Sequence, residues 1–268
     1  TGSDTVMAQI ASEVLTVPPA KIIVYSSDTD MTPFDVGAYA SSTTYLSGNA
    51  VKKCALLIKE QILKVASNIL NEDQKFLYLL DEKVISDLSS KNVTFSKIAN
   101  YSLYQNNQFQ IHAVASHITH LSPPPFAAHF AEVEVDTETG CVNVIKYVAC
   151  VDCGQAINPS LAEGQTEGAV LNGISYALCE EFIFNENGKV LNDNFKDYKI
   201  YSTRDLPELV VKLIPTYEES GPFGAKSVSE ISINGPIPAI ANAIYNAIGI
   251  RLFKPPFTAE KVLKAIQK

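Results

Sequence analysis

Charged side chains are scarce in this sequence, and other features that would assign it to a common functional class are missing. Asp, Glu, Lys and Arg make up 19% of the 268 residues, whereas 46% are apolar. No dense run of Lys or Arg occurs and the net charge is −8, so nucleic-acid binding is not expected. The apolar stretches are short and interrupted by polar residues, so no membrane span is predicted.

The low charge has two interpretations, which the sequence leaves open. Either a large fraction of the chain is buried, or part of its surface packs against a missing partner or domain. The length supports one large or two intertwined domains. No signal peptide is visible, and the chain opens with Thr1-Gly2-Ser3, so we interpret it as a fragment of a larger protein.

Five cysteines, an odd number in a long chain, favour a reducing compartment, and we expect a cytoplasmic protein. Cys150 and Cys153 have the spacing of a redox or zinc motif. However, their neighbours predict a strand, on which the two side chains point to opposite faces. The four histidines also lie among residues that alternate like strands, without a carboxylate or cysteine at ligand spacing. We therefore interpret these residues as structural and predict no protein metal ligand.

The pattern of apolar residues predicts an α+β fold with two-layer mixed sheets and packed helices, because regular βαβ alternation is missing. Pro123-Pro124-Pro125 predicts a seam between a first subdomain, residues 1–122, and a second one, residues 123–268. The predicted helices are an N-terminal one capped by Ser3 or Asp4 and residues 50–70, 95–104, 159–179, 238–248 and 259–266. The predicted strands are residues 22–26, 76–80, 84–85, 130–136, 141–151 and 209–214.

Three polar stretches have compositions that favour a ligand. Residues 37–45 offer hydroxyl groups just ahead of a long helix, where free N–H groups and the helix dipole favour phosphate. The alternative is a Ser- and Thr-rich connection that satisfies its own backbone. In the second stretch, Asp152 to Pro159 is followed by Gly164-Gln165-Thr166-Glu167-Gly168. Its glycines would let a ligand or another helix approach closely, and both interpretations remain open.

The third stretch runs from Gly221 to Glu230 and continues into an apolar segment. It should deliver Glu230 into a poorly solvated place, where a carboxylate becomes a stronger base because burial disfavours its charge. The alternative is a Glu that caps a helix or forms a salt bridge, for example with Lys226.

In this order and over essentially the whole chain, the three stretches resemble the molybdenum-cofactor-binding region of the xanthine dehydrogenase and aldehyde oxidase family. The resemblance rests on Asp-Cys-Gly-Gln-Ala-Ile-Asn-Pro from 152, Gly-Gln-x-Glu-Gly from 164 and Gly-Ala-Lys-x-Val-x-Glu from 224. The sequence of residues 221–235 is most similar to that of bacterial selenium-dependent hypoxanthine oxidases. The resemblance implies a molybdopterin-binding part of a molybdenum hydroxylase.

The same resemblance implies roles for individual residues. Ser41, Ser42 and Thr43 would contact the pterin or its phosphate, and Gln165 would approach the pyranopterin. Glu230 would be the catalytic base that removes the proton from the Mo–OH group. Gly2 and Ser229 would also lie at the cofactor. The family usually has Gln where this chain has Thr1, and often Gly where it has Ser229.

The implied reaction is hydroxylation of an N-heterocycle, such as the purines hypoxanthine and xanthine, or of an aldehyde, with water as the oxygen source. The cofactor would be molybdopterin with Mo, in a bacterial relative as the cytosine dinucleotide. The 2Fe-2S centres, FAD and the rest of the molybdenum domain would lie on other domains or subunits, and a homo-oligomer remains open. The isolated chain is expected to be inactive. The alternative is a non-catalytic scaffold or interaction subunit that kept the fold.

Overall fold

The structure, a computed structural model, describes residues 2–105 and 108–268 and divides the chain into two units. The first unit comprises Thr1–Pro123 and Glu218–Ala225, and the second comprises Pro124–Tyr217 and Lys226–Lys268. The sequence predicted a continuous second part from residue 123 onward. In the structure the chain instead returns to the first unit for one short segment.

The first unit contains two packed helices, a small sheet and a third helix that follows the sheet. Helix α1 (Ser3–Leu15) packs against the long α2 (Thr43–Leu70). At their contact a Cβ on Gly48 would come within 2.9 Å of Ile10 and 3.0 Å of Pro222. The glycine in α2 therefore allows this close approach, and a larger residue would require Ile10 or Pro222 to shift.

The sheet of the first unit is antiparallel in the order β1-β2-β3, and α3 follows directly. Its elements are β1 (Leu77–Leu80), β2 (Lys83–Ser86), β3 (Asn92–Thr94) and α3 (Phe95–Tyr104). Buried apolar side chains of α2, the sheet and α3 form one core, which includes Val65, Leu77, Val84 and Ile98.

The second unit is a three-stranded sheet covered by helices. Strands β4 (Phe126–Val135) and β5 (Val142–Asp152) form an antiparallel hairpin, and β6 (Glu208–Leu213) runs parallel to β5. The helices are α4 (Pro159–Leu178), α5 (Ser229–Asn234), α6 (Pro236–Ile248) and α7 (Ala259–Ile266). The core contains fully buried side chains of β5, α4 and α6, among them Tyr147, Val151, Val170, Ile174 and Ile240.

The α+β class is confirmed, and several predicted elements are confirmed closely because local signals set their ends. Asn158 caps α4 by accepting a hydrogen bond from the Leu161 N–H at 3.1 Å, with Pro159 at the first helical position. Thr258 caps α7 in the same way. The predicted hairpin of residues 130–151 is present in longer form as β4 and β5.

Other predictions were wrong. Residues 22–26 form no strand. Helix α2 begins at Thr43 rather than at residue 50, because tertiary packing at Gly48 outweighs the weak helix preference of this stretch. The N-cap of α1 is Gly2, with a φ of +77°, rather than Ser3 or Asp4. Of the four histidines only His129 lies in a strand, since residues 110–120 have no strand partner.

Three further observations concern functional groups. Within residues 2–105 and 108–268, no cluster of three or more His, Cys, Asp or Glu side chains could hold a metal ion. In the same residues, no helix is both long and apolar enough to cross a membrane. All five cysteines have free thiols, with Cys153 buried and Cys150 half-buried.

Candidate functional site

The second polar stretch connects the end of β5 to the start of α4. Strand β5 ends at Asp152, and Gly154 turns the chain with a φ of +72°, a conformation that suits glycine. The cap at Asn158 then starts α4. Gln165 lies in the second turn of this helix and is half-buried. The local sequence thus places an amide side chain near the beginning of a 20-residue helix.

Helix α5 is attached to α4 by polar contacts. The Gln165 Nε2 donates to the Ser229 Oγ at 3.1 Å. Deeper in the contact, the buried Ser232 donates to the Val228 carbonyl oxygen at 2.8 Å and lies 3.4 Å from the Thr166 hydroxyl. Two successive residues of α4 therefore hold the first turn of α5.

Glu230 lies in the first turn of α5 and is exposed to solvent on this chain. The sequence predicted a poorly solvated place for this carboxylate, whereas the structure of this chain leaves it exposed. Ser232 is fully buried, and residues two apart on a helix point about 200° apart, so Glu230 points away from the packed face.

Lys226 is buried and forms an ion pair with Asp152. Its Nζ is 2.7 Å from the Asp152 Oδ2, and the two side chains are only 8% and 14% exposed. Burial raises the pKa of Asp152, but hydrogen bonds from Lys226, Thr216 and the Gly154 N–H outweigh it and hold the pKa below its ordinary value. This ion pair connects the second polar stretch to the third.

The glycines on either side of Gln165 face open space. A Cβ added to Gly164 or to Gly168 would meet nothing within 4 Å. By contrast, a Cβ on Gly173 in the same helix would lie 2.6 Å from Pro236. Packing within the chain therefore explains Gly173 but not the other two, which leaves their side of α4 accessible to a ligand or another chain segment.

The first polar stretch lies at the beginning of α2, in the first unit. Ser41 has a left-handed backbone with a φ of +53°, Ser42 is the N-cap residue and Thr43 is the first helical residue. All three are half-buried. The Ser42 hydroxyl donates to the Tyr39 carbonyl oxygen at 2.7 Å, and the Ser42 side chain makes no capping hydrogen bond to α2.

The structure brings some of the predicted site residues together. Gln165 and Ser229 are in contact, and Glu230 follows Ser229 directly. Ser41, Ser42, Thr43 and Gly2 belong to the first unit. Thr1, where the family usually has Gln, lies outside the described residues.

Several residues that support this site have contacts that were not predicted from the sequence. Asp152 and Lys226 stood inside the quoted motifs, but residues 74 positions apart give no pairing signal in a single sequence. Ser232 lies within α5 and contacts Thr166, and His129 contacts the α5 backbone; a single sequence does not show which distant residues these two side chains meet.

The fold and these contacts define an α+β chain in which polar residues join α4 to α5, and comparison with known proteins identifies its family. The sequence model of the molybdopterin cofactor-binding domain family matches residues 1–207. The chain is 40% identical over 269 residues to the "Probable hypoxanthine oxidase" of Escherichia coli strain K12, covering 100% of this chain and 28% of the relative. It is 33% identical over 266 residues to the xanthine dehydrogenase molybdenum-binding subunit of Escherichia coli O157:H7, covering 97% of this chain and 35% of that subunit.

A solved structure agrees with the architecture. Quinoline 2-oxidoreductase from Pseudomonas putida 86 superimposes with a TM-score of 0.92 at 24% identity, covering 100% of this chain and 35% of that one. The chain belongs to the molybdopterin cofactor-binding domain family and is a molybdenum-cofactor-binding part of the xanthine dehydrogenase type. It spans about a third of the length of these relatives.

Proposed function

We propose that this chain forms one wall of the active site of a molybdenum hydroxylase, with Glu230 as its catalytic base. The observation that carries the proposal is the joint between α4 and α5. There the Gln165 amide holds Ser229, and the next residue presents an exposed carboxylate. The three residues that the family motifs single out therefore occupy one place in the fold.

The side chains on this chain fit a molybdopterin. The pterin is rich in hydrogen-bonding groups and carries a phosphate, which calls for amide and hydroxyl partners and for free backbone N–H groups. Gln165 supplies the amide, and Ser41, Ser42 and Thr43 supply hydroxyl groups at the N-terminus of α2, which the Ser42 side chain does not cap. We propose these residues and Gly2 as cofactor contacts. When bound, the cofactor supplies the redox chemistry of the reaction.

The chain's own contribution is positioning and proton transfer. In the proposed reaction the Glu230 carboxylate accepts the proton of the water-derived oxygen that is added to the substrate. Ser229 and Gln165 fix the start of α5, so that the carboxylate is presented in one place. Because Glu230 is exposed on this chain, we propose that the remaining part of the longer protein covers it and excludes water.

The proposed substrate is an N-heterocycle, with purines such as hypoxanthine or xanthine preferred over aldehydes. Support comes from the 40% identity to a relative named as a hypoxanthine oxidase. The chain spans about a third of the length of its relatives. We therefore propose as its partners the rest of the molybdenum domain and iron–sulfur and flavin domains or subunits. The cytosine dinucleotide form, a selenium ligand, a homo-oligomer and the cytoplasm stay predictions from the sequence.

The test is Glu230→Gln in the complete enzyme, with Glu186→Gln in an exposed turn as the matched control. We expect turnover of hypoxanthine to fall about 10²- to 10⁴-fold in Glu230→Gln, with molybdenum and pterin content retained, and to be unchanged in the control. Full turnover by Glu230→Gln at unchanged cofactor content would remove the proposed role of this carboxylate.

A non-catalytic scaffold subunit is the second candidate. The observation in its favour is that the Ser229 hydroxyl, at a position where the family often has Gly, occupies the Gln165 amide. Molybdenum by elemental mass spectrometry and oxidised-pterin fluorescence decide between the two. A complete protein that stays empty after expression with molybdate and maturation factors supports the scaffold.

A further inference from the structure

Lys226 and Asp152 form an ion pair that is almost closed to solvent. The Nζ and the Oδ2 are 2.7 Å apart, and the side chains are 8% and 14% exposed. The Nζ also donates to the Pro124 carbonyl oxygen at 3.2 Å. Because Lys and Asp are seldom buried without a partner, this contact is a specific feature of the fold rather than a surface ion pair.

Asp152 uses both of its carboxylate oxygens. The Oδ1 accepts hydrogen bonds from the Gly154 N–H at 2.9 Å and from the Thr216 hydroxyl at 2.6 Å, while the Oδ2 accepts from Lys226. One carboxylate therefore joins the end of β5, the turn that leads to α4, and the segment after β6. Loss of the cation would leave this carboxylate partly buried without its main partner.

Lys226 is attached to the same turn through its main chain. Its backbone N–H donates to the Cys153 carbonyl oxygen at 2.7 Å. Main-chain and side-chain contacts together fix this residue against residues 152–154, and α5 begins three residues later at Ser229. From the other side, Gln165 holds Ser229. The start of α5 is thus held by Lys226 in the segment before it and by the contact of Gln165 with Ser229.

We propose that the Lys226–Asp152 ion pair is a positioning device that sets where α5 begins and hence where the Glu230 carboxylate is presented. Lys226 is a positioning residue and acts through the segment 227–229. What the carboxylate does rests on the function proposed above, whereas what holds it in place does not. The two statements can therefore be tested separately.

The first experiment measures hydrogen–deuterium exchange of the amides in residues 227–234. In Lys226→Met we expect these amides to exchange about 10-fold faster or more, while α7 is unchanged. In Lys226→Arg, which keeps the cation, and in Lys212→Met, an exposed lysine on β6, we expect less than about a two-fold change. Unchanged exchange of residues 227–234 in Lys226→Met overturns the proposal.

A second variant covers the case in which Lys226→Met fails to fold because Asp152 is left without its cation. The double variant Asp152→Asn with Lys226→Met has no isolated charge, and we expect it to fold and still to exchange faster in residues 227–234. Normal protection in the double variant shows that the ion pair is not needed for position, which also overturns the proposal.

The second experiment measures turnover in the complete enzyme. We expect kcat of Lys226→Met to fall about 10-fold or more with KM and cofactor content within about two-fold, and Lys226→Arg to restore most of kcat. Faster exchange with unchanged kcat contradicts the role in presenting the base. If Glu230→Gln itself has full turnover, the proposed function fails, and the exchange result still decides whether the ion pair positions α5.

Discussion

The His129 ring on β4 contacts the backbone of the helix that carries Glu230, because its Nε2 is 3.3 Å from the Ile231 carbonyl oxygen. Its Nδ1 lies 3.0 Å from the Tyr147 hydroxyl. A neutral ring satisfies both contacts when Nε2–H donates to the carbonyl and Nδ1 accepts from the tyrosine. A Cβ on Gly235 would collide with this ring, so that glycine makes room for it.

Because His129 is partly buried, we expect the folded chain to lose stability in mild acid. Burial lowers its pKa below the ordinary value of 6.5, although the contact with Ile231 acts in the opposite direction. As the pH falls, the unfolded chain therefore takes up the proton first. The stabilisation is present above about pH 6.5 and is lost as the pH falls through the folded pKa. Melting temperatures measured between about pH 5 and 8 should show this, with a weaker dependence in His129→Gln.

The matched control for this prediction is His120→Gln, since His120 is exposed. It should keep the pH dependence of the unsubstituted chain. Equal slopes in the unsubstituted chain and in His129→Gln would assign the acid sensitivity to other groups.

Gln165→Leu predicts weaker cofactor retention. The substitution removes the amide that lies at the joint of α4 and α5 and keeps a similar volume. Loss of about one hydrogen bond should lower the affinity for molybdopterin about 2- to 10-fold. The measurement is molybdenum and pterin per chain in the complete protein, with Gln74→Leu, which changes an exposed amide outside the three polar stretches, as the control. Equal cofactor content in the two variants would show that Gln165 makes no such contact.

Gly173→Ala predicts a loss of stability where α4 crosses the neighbouring helices. The new Cβ would lie 2.6 Å from Pro236 and 2.9 Å from the Ile233 carbonyl oxygen. Overpacking of this kind lowers the free energy of unfolding by about 1–3 kcal/mol. Gly168→Ala is the control in the same helix, where nothing lies within 4 Å, and it should raise that free energy by up to about 1 kcal/mol.

Urea denaturation of both glycine variants checks this pair of predictions. A Gly173→Ala midpoint equal to that of the unsubstituted chain would contradict the crowding. If the Gly168→Ala chain is stable but the complete enzyme with this substitution loses its cofactor, the open side of α4 faces a ligand or another chain segment. The empty space around Gly168 favours that outcome.

We expect the substitution Asn158→Ala to shorten or destabilise α4. The Asn158 side chain accepts the Leu161 N–H, and removal of such a cap lowers the free energy of unfolding by about 1 kcal/mol. Ser160→Ala, at an exposed position in the same turn, should change it by less than about half as much. Equal midpoints in chemical denaturation would mean that the cap contributes nothing.

Sequence patterns were sufficient where local signals decide the structure. The helices 95–104 and 259–266 have the predicted ends, because Thr94 and Thr258 cap them. The hairpin of β4 and β5 follows from alternating apolar residues around the turn of residues 137–140. The resemblance of three motifs likewise gave the family, which the comparisons show.

Tertiary structure decided what depends on distant contacts. Helix α2 includes Gly48, where α1 and Pro222 approach closely, whereas the sequence predicted the helix to begin at residue 50. Lys226 pairs with Asp152, 74 residues away, rather than with a neighbour in its own motif. Glu230 is exposed because Ser232 takes the packed face of α5. The sequence alone therefore determined the family and those elements whose ends are set by local periodicity and caps. Burial and pairing depend on which distant segments meet, and only the folded chain decides that.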